Sequence, residues 1–248
     1  MNELTDEHIL CEDGAVIAVN KPSGVITQGA PRGVDSLGEL VKRYLKRKYN
    51  KPGNVYLGVP HRLDRPVSGV VVFSRNSKCA ARLSEQFAKR QVQKIYHAIL
   101  DRPPEPRAGE WVDWIYRVPD HSQVEISSES NPEARRAVLN YRTLAVDRGR
   151  AWVEIQLGTG RMHQIRIQFG SRGCPIAGDA QYGSRKSLPG VNAADRLTAP
   201  IALHARELTL LHPVRFEPLK IVAPFPDIWR KWFPELPWDD PTQTPEVS

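Results

Sequence analysis

Asp64 lies in the run His61-Arg62-Leu63-Asp64-Arg65, a carboxylate flanked by two arginines and a histidine just ahead of the apolar run Gly69-Val70-Val71-Val72-Phe73. A carboxylate at the mouth of an apolar strand is partly desolvated, and neighbouring guanidinium groups favour its ionised form. Such a group can act as a nucleophile. The same residues also suit a structural ion pair at the start of a strand. A second cluster, Gly158-Thr159-Gly160-Arg161-Met162-His163-Gln164-Ile165-Arg166, uses two glycines for a tight turn and then presents polar side chains together. On a helix, His163 and Arg166 share a face. Arg166 can then pair with a distant carboxylate while His163 or Arg161 touches a phosphate; the plainer reading is a basic helix start with surface arginines. Gly178-Asp179-Ala180-Gln181-Tyr182-Gly183 reads alone as a turn containing an acid, and Leu203-His204-Ala205 as a strand with a structural histidine.

Phosphate-loop, dinucleotide-binding, nucleophile-elbow and zinc-protease signatures do not occur in the sequence. His61, His163 and His204 lack metal-ligand spacing. The three cysteines, Cys11, Cys79 and Cys174, are widely separated and odd in number, which argues for reduced structural thiols. No cofactor and no metal is signalled.

The elements that must position these groups can be read from patterning. Gly14 to Val19 is a β-type run ended by the turn Asn20-Lys21-Pro22-Ser23-Gly24. Ser36 can cap a helix carrying Leu37, Leu40, Val41 and Leu45, with Lys42, Arg43, Lys46, Arg47 and Lys48 between them as a solvated basic face or an RNA contact. A short strand is expected over Val55 to Val59, and another over Val70 to Phe73. Asn76 or Ser77 can cap a helix bearing Ala80, Leu83 and Phe87; a strand follows over Gln93 to Leu100, then a loop over Asp101 to Gly109. Residues 121 to 134 read as a polar surface excursion. Strands resume at Ala137 to Leu144 and Trp152 to Leu157. Arg161 to Phe169 has helical spacing ended by Gly170, although Ile165, Ile167 and Phe169 also alternate as a strand would. Arg185 to Pro200 looks like a loop insertion, and Ala202 to Leu211 like a late strand. Such interleaving implies an α+β or α/β domain on a mixed sheet.

The 248 residues suffice to bury a large core, and 40% hydrophobic with 25% charged residues describes an ordinary globular chain. No apolar run reaches the roughly 18 residues needed to cross a bilayer, and the acidic opening Met1 to Glu7 resembles neither a secretory nor a transit signal, so a cytoplasmic protein is expected. The net charge is +7, and residues 233–248 hold four acids and no Lys or Arg, which leaves the remainder at +11. A basic body suits a polyanion.

Taken in order, these elements resemble the RluA-type pseudouridine synthase family over about residues 13 to 225. Asn20-Lys21-Pro22-Ser23-Gly24 is similar to the family's Asn-Lys-Pro-x-Gly, and His61-Arg62-Leu63-Asp64 followed by Ser68-Gly69 to its His-Arg-Leu-Asp-x-x-Thr-Ser-Gly. Lys94-Ile95-Tyr96 resembles Lys-x-Tyr, Gly160 to Arg166 resembles Gly-Arg-Thr-His-Gln-Ile-Arg, Gly178 to Gly183 resembles Gly-Asp-x-x-Tyr-Gly, and Leu203-His204-Ala205 completes the set. The resemblance implies that Asp64 is the catalytic aspartate, that Tyr96 lies against the target base and that Arg166 pairs with the aspartate. Arg62, Arg161 and His163 are expected at the RNA, and Leu203 at the apolar wall around the base. Val67, Met162 and Gln168 depart from the family's usual Thr, Thr or Ser, and His.

The implied fold is an α+β pseudouridine synthase fold: one catalytic domain over 13–232 on a mixed, largely antiparallel β-sheet flanked by helices and loops. An N-terminal arm, 1–12, and an acidic Pro-rich tail, 233–248, would flank it. The implied activity is isomerisation of uridine in ribosomal or transfer RNA to pseudouridine, without cofactor, metal, membrane or obligatory protein partner. The target nucleotide would be flipped into the pocket at a cost of a few kcal/mol. Two other classes remain open: an RNA-binding module without catalysis, and a glycosidase-like hydrolase, which would want a carboxylate pair.

Overall fold

Ser36 and Asn76 start the two long helices as their side chains direct. The Ser36 hydroxyl accepts from the Glu39 N–H while the Glu39 carboxylate accepts from the Ser36 N–H at 2.8 Å, a reciprocal cap for α1, Leu37–Lys48. Asn76 Oδ1 accepts from the Cys79 N–H at 2.8 Å and opens α2, Ser77–Ala88. In a computed structural model, which describes residues 3–192 and 199–234, the chain divides into two compact units: Met1–Lys94 with Ala205–Pro224, and Ile95–His204 with Phe225–Ser248.

The first unit orders its strands β1 (Ile9–Glu12), β2 (Val16–Lys21), β3 (Ser68–Ser74), β9 (Leu203–Leu211) and β10 (Pro218–Val222). β2 runs antiparallel to β3 from Val16 opposite Ser74 to Lys21 opposite Gly69. Every residue of β3 is buried, as its unbroken apolar run requires. Cys79 and Leu83 of α2 pack with Val16, Val70, Val72 and Leu208 into the core of this unit. The basic face of α1 is largely neutralised locally: Arg43 pairs with Asp35, Arg47 with Glu3 and Lys48 with Glu12.

The second unit is an antiparallel array in the order β4 (Gln93–Leu100), β8 (Arg150–Leu157), β7 (Arg135–Asp147), β5 (Ala108–Arg117), β6 (Val124–Ser127). Residues directly opposite in an antiparallel pair share a face, so Tyr96, Ile155 and Tyr141 point the same way. On that face α3, Gln164–Gly170, packs Phe169 against Trp111 and Tyr141. The opposite face carries His97 and Trp152, which pack with Phe225; Phe225 in turn stacks on Trp229 of α4, Asp227–Trp232.

Several local expectations change. Val55 to Val59 forms no strand; only Gly58 bridges to Ser74, and Pro60 follows at once. The residues read as an arm include β1, and the excursion over 121–134 contains β6. Arg161 to His163 turn before the helix, which begins at Gln164, so the strand alternative for this segment does not hold. The described part of Arg185 to Pro200 contains no strand or α-helix. The acidic residues of the tail, Glu235 onward, lie outside the described residues. Among the described residues no helix is long and apolar enough to cross a membrane.

Candidate active site

The loop that carries Asp64 is fixed residue by residue. The Thr27 hydroxyl donates to the Leu63 carbonyl at 2.9 Å, and the Leu63 N–H donates back to Thr27 Oγ1 at 3.2 Å. Lys21, the last residue of β2, is fully enclosed, and its ammonium donates to the carbonyls of Pro22, Val25 and Arg65 at 3.1, 2.8 and 3.2 Å. Gly24, at φ +88, donates its N–H to the Arg65 carbonyl, and Arg65 Nε returns a bond to the Gly24 carbonyl. The Val67 N–H closes a turn on the Asp64 carbonyl. Asp64 is therefore a half-buried carboxylate between two anchored neighbours, with Arg62 exposed beside it. Burial pushes the Lys21 ammonium down to about 7, with the Asp64 carboxylate opposing that fall.

His61, in the same motif, is a structural residue. Its ring stacks on Phe87 at 4.5 Å, and Nε2 accepts from the Val72 N–H at 3.0 Å. An accepting nitrogen requires the neutral imidazole. Burial, helped by the charge of Lys94, holds the ring neutral by pushing its pKa down to about 3.

In the second unit, Thr159 to Arg166 forms a buckle. Gln164 Oε1 accepts from the Thr159 hydroxyl and the Arg161 N–H, while Gln164 Nε2 donates to the Val138 carbonyl. His163 takes the left-handed conformation at φ 49, and its Nδ1 lies 2.7 Å from the Tyr182 hydroxyl, which itself accepts from the Val124 N–H. Strained backbone of this kind persists where surrounding bonds over-determine it. Arg161 is partly exposed, with Nε bonded to the Arg136 carbonyl.

Arg166 is 3% exposed and makes a bidentate pair with Asp179, Nε to Oδ2 at 2.7 Å and Nη2 to Oδ1 at 2.8 Å; Nη2 also reaches Gln181 Oε1 at 2.9 Å. Its guanidinium lies over the Tyr182 ring at 4.9 Å. Asp179, read from sequence as a turn acid, is thus the residue that sets the plane of Arg166. The signal available for it was its place in the Gly178-to-Gly183 motif. Gly170 ends α3 where a Cβ would meet the Tyr182 carbonyl, so helix and turn approach closely enough for these bonds.

Tyr96 is half-buried on the side of the sheet that carries Tyr141, against which Phe169 of α3 packs, and Leu203 is buried at the start of β9. At the departures from the family pattern the side chains do structural work: Val67 is buried, Met162 packs against the cluster of Ile115, Val124, Ala137 and Tyr182, and Gln168 Nε2 donates to Asp113, which also pairs with Arg172. Among the described residues no three His, Cys, Asp or Glu side chains converge as a metal site.

Comparison with known proteins gives the class to which a chain with this strand-rich fold belongs. A family model described as RNA pseudouridylate synthase matches residues 15–171. Ribosomal large subunit pseudouridine synthase D of Xylella fastidiosa is 35% identical over 225 residues, covering 88% of this chain and 66% of that protein. tRNA pseudouridine synthase C of Vibrio parahaemolyticus is 29% identical over 244 residues, 94% and 96% of the two chains. The solved structure of human RNA pseudouridylate synthase domain containing 4 superposes with a TM-score of 0.72 at 28% identity, covering 89% of each chain. The chain belongs to the RNA pseudouridylate synthase family, in its RluA-type branch. It spans 66%, just under two thirds, of the large-subunit synthase that it matches.

Proposed function

We propose that this protein isomerises uridine in RNA to pseudouridine, with Asp64 as the catalytic aspartate. The N1–C1′ glycosidic bond breaks, the uracil turns, and a C5–C1′ bond forms. Loss of the C5 proton balances the proton gained at N1, so the product is an isomer and needs no redox partner. The observation that carries this reading is the motif His61-Arg62-Leu63-Asp64 within the matched residues, on a loop anchored by Thr27 and Lys21.

In this reading Arg166 is the arginine that pairs with the catalytic aspartate, and the bonds it donates to Asp179 and Gln181 hold the guanidinium plane in place for that task. Tyr96 lies against the extruded uracil and Leu203 forms part of the apolar wall, while Arg62, Arg161 and His163 serve the phosphates. Ribosomal or transfer RNA, which the names of the relatives print, is the substrate class in this reading, with the cytoplasm as the compartment.

The test uses RNA labelled with tritium at carbon 5 of uridine and extracted from cells lacking the protein. The wild-type chain releases tritium, whereas Asp64→Asn loses at least about a hundredfold in rate while still binding the RNA. A fully active Asp64→Asn variant contradicts the assignment. Free uracil as the product would mark a hydrolase, and binding without any product a module that has lost catalysis.

A further inference from the structure

At the end of the second unit where β4 leaves the sheet and β7 turns into β8, a cavity of about 540 Å³ opens. Its volume is that of a small-ligand site, but its lining is unlike an apolar pocket. Arg102 comes from the loop after β4, Arg148 from the β7–β8 turn and Arg150 from the start of β8, and Arg185 and Lys186 from the segment after the Ala180–Tyr182 turn. Five cations from three separate segments face two carboxylates, Asp101 and Asp147.

Those carboxylates do not neutralise the set. Asp101 accepts from the Ser184 hydroxyl at 2.7 Å, and Asp147 lies 3.8 Å from the exposed Arg148. Among the described residues Arg102, Arg150, Arg185 and Lys186 form no ion pair, in contrast to the cations of α1. Arg102, Arg185 and Lys186 are exposed, so their charges are available at the mouth. Trp232 and Phe233 close the wall, both nearly buried, with Arg150 stacked over the Phe233 ring at 5.2 Å. They offer no stacking platform for a base. The chemistry displayed is that of a site for a phosphate group.

The cavity is separate from the proposed catalytic residues of the same unit. Tyr96 stands near the start of β4, and Asp101 lies five residues further along; at ~3.3 Å per residue the two are roughly 16 Å apart. Ile99 and Trp152, which line the cavity, point away from the face that carries Tyr96.

We propose that this cavity is a second RNA contact, which grips a backbone phosphate of the substrate at a distance from the target uridine. The proposal rests on the RNA reading above. A phosphate could also arrive on a free nucleotide, but four cations without an ion pair, drawn from three separate segments, exceed what one mononucleotide phosphate uses.

The test replaces Arg102, Arg185 and Lys186 together by Gln and compares the variant with wild type in three assays. For fluorescein-labelled bulk transfer RNA, affinity at ~0.15 M salt falls about tenfold, and the slope of log affinity against log salt falls by about two. In tritium release KM rises by a similar factor while kcat is unchanged. Arg102→Lys with Arg185→Lys recovers most of both losses, which separates charge from any local misfolding. UMP is the third probe: if wild type binds UMP in this cavity and the triple variant loses that while its RNA affinity and salt slope are unaltered, the site serves a mononucleotide and the proposal fails. An unchanged slope together with an unchanged KM also overturns it. If wild type releases no tritium at all, the functional reading fails instead, and the salt slope still decides the cavity.

Discussion

At position 21 a lysine ammonium is enclosed by protein and held by three carbonyls, one of them that of Arg65, the residue after the proposed catalytic aspartate. Its pKa of about 7 lies far below the 10.5 of an exposed lysine. Between those values the unfolded chain binds more protons than the folded one, so stability from this group rises with pH over that window and is level below it. Urea melts at pH 7 and pH 9 should show wild type gaining about 2 kcal/mol relative to Lys21→Met; parallel curves for the two proteins would contradict the buried ammonium. The sequence places Lys21 in a turn motif but says nothing of the three carbonyls, which come from residues 1, 4 and 44 positions away. Asp179 was hidden for the same reason: its partner Arg166 is recognisable alone, but the bidentate pairing exists only once α3 and the Ala180–Tyr182 turn are brought together.

Element by element, β3 shows how closely the strand that follows the Asp64 loop is packed. Gly69 has φ +116, and a Cβ there would run into the Ala205 backbone, with its nitrogen only 2.6 Å away. Neither the dihedral nor the space suits a side chain, so Gly69→Ala should cost at least about 2 kcal/mol and lower turnover by disturbing Ser68 and the loop before it. Gly53→Ala, with nothing within 4 Å, is the control and should change stability by no more than about 0.5 kcal/mol. Equal melting curves for the two variants would refute the close approach. α1, α2 and β4 were legible because caps and apolar spacing are local signals, and the structure gives Leu37–Lys48, Ser77–Ala88 and Gln93–Leu100. β1, β6 and β10 are four or five residues long, too short to set a pattern, and exist through their ladders with β2, β5 and β9. Val55 to Val59 shows the converse: an apolar run without a ladder partner makes no strand.

For the whole molecule the governing quantity is charge. The chain carries +7, but the 14 residues after Pro234 contain Glu235, Asp239, Asp240 and Glu246 and no Lys or Arg, so the chain without them carries +11. RNA association is driven largely by phosphate neutralisation, and fixed negative charge on the protein opposes it at distances up to the screening length, about 10 Å at 0.1 M salt. Deleting residues 235–248 keeps Trp232 and Phe233, which wall the basic cavity, and every proposed catalytic side chain. The truncated protein should therefore bind transfer RNA about threefold to tenfold more tightly at about 50 mM salt, with the two proteins converging above roughly 200 mM. Its kcat for tritium release should stay that of the full chain, because the change acts on encounter and affinity rather than on the proposed catalytic carboxylate. Titrations of labelled transfer RNA across that salt range check the expectation: equal affinities at the lowest salt would mean that the tail's charge is not felt where RNA binds.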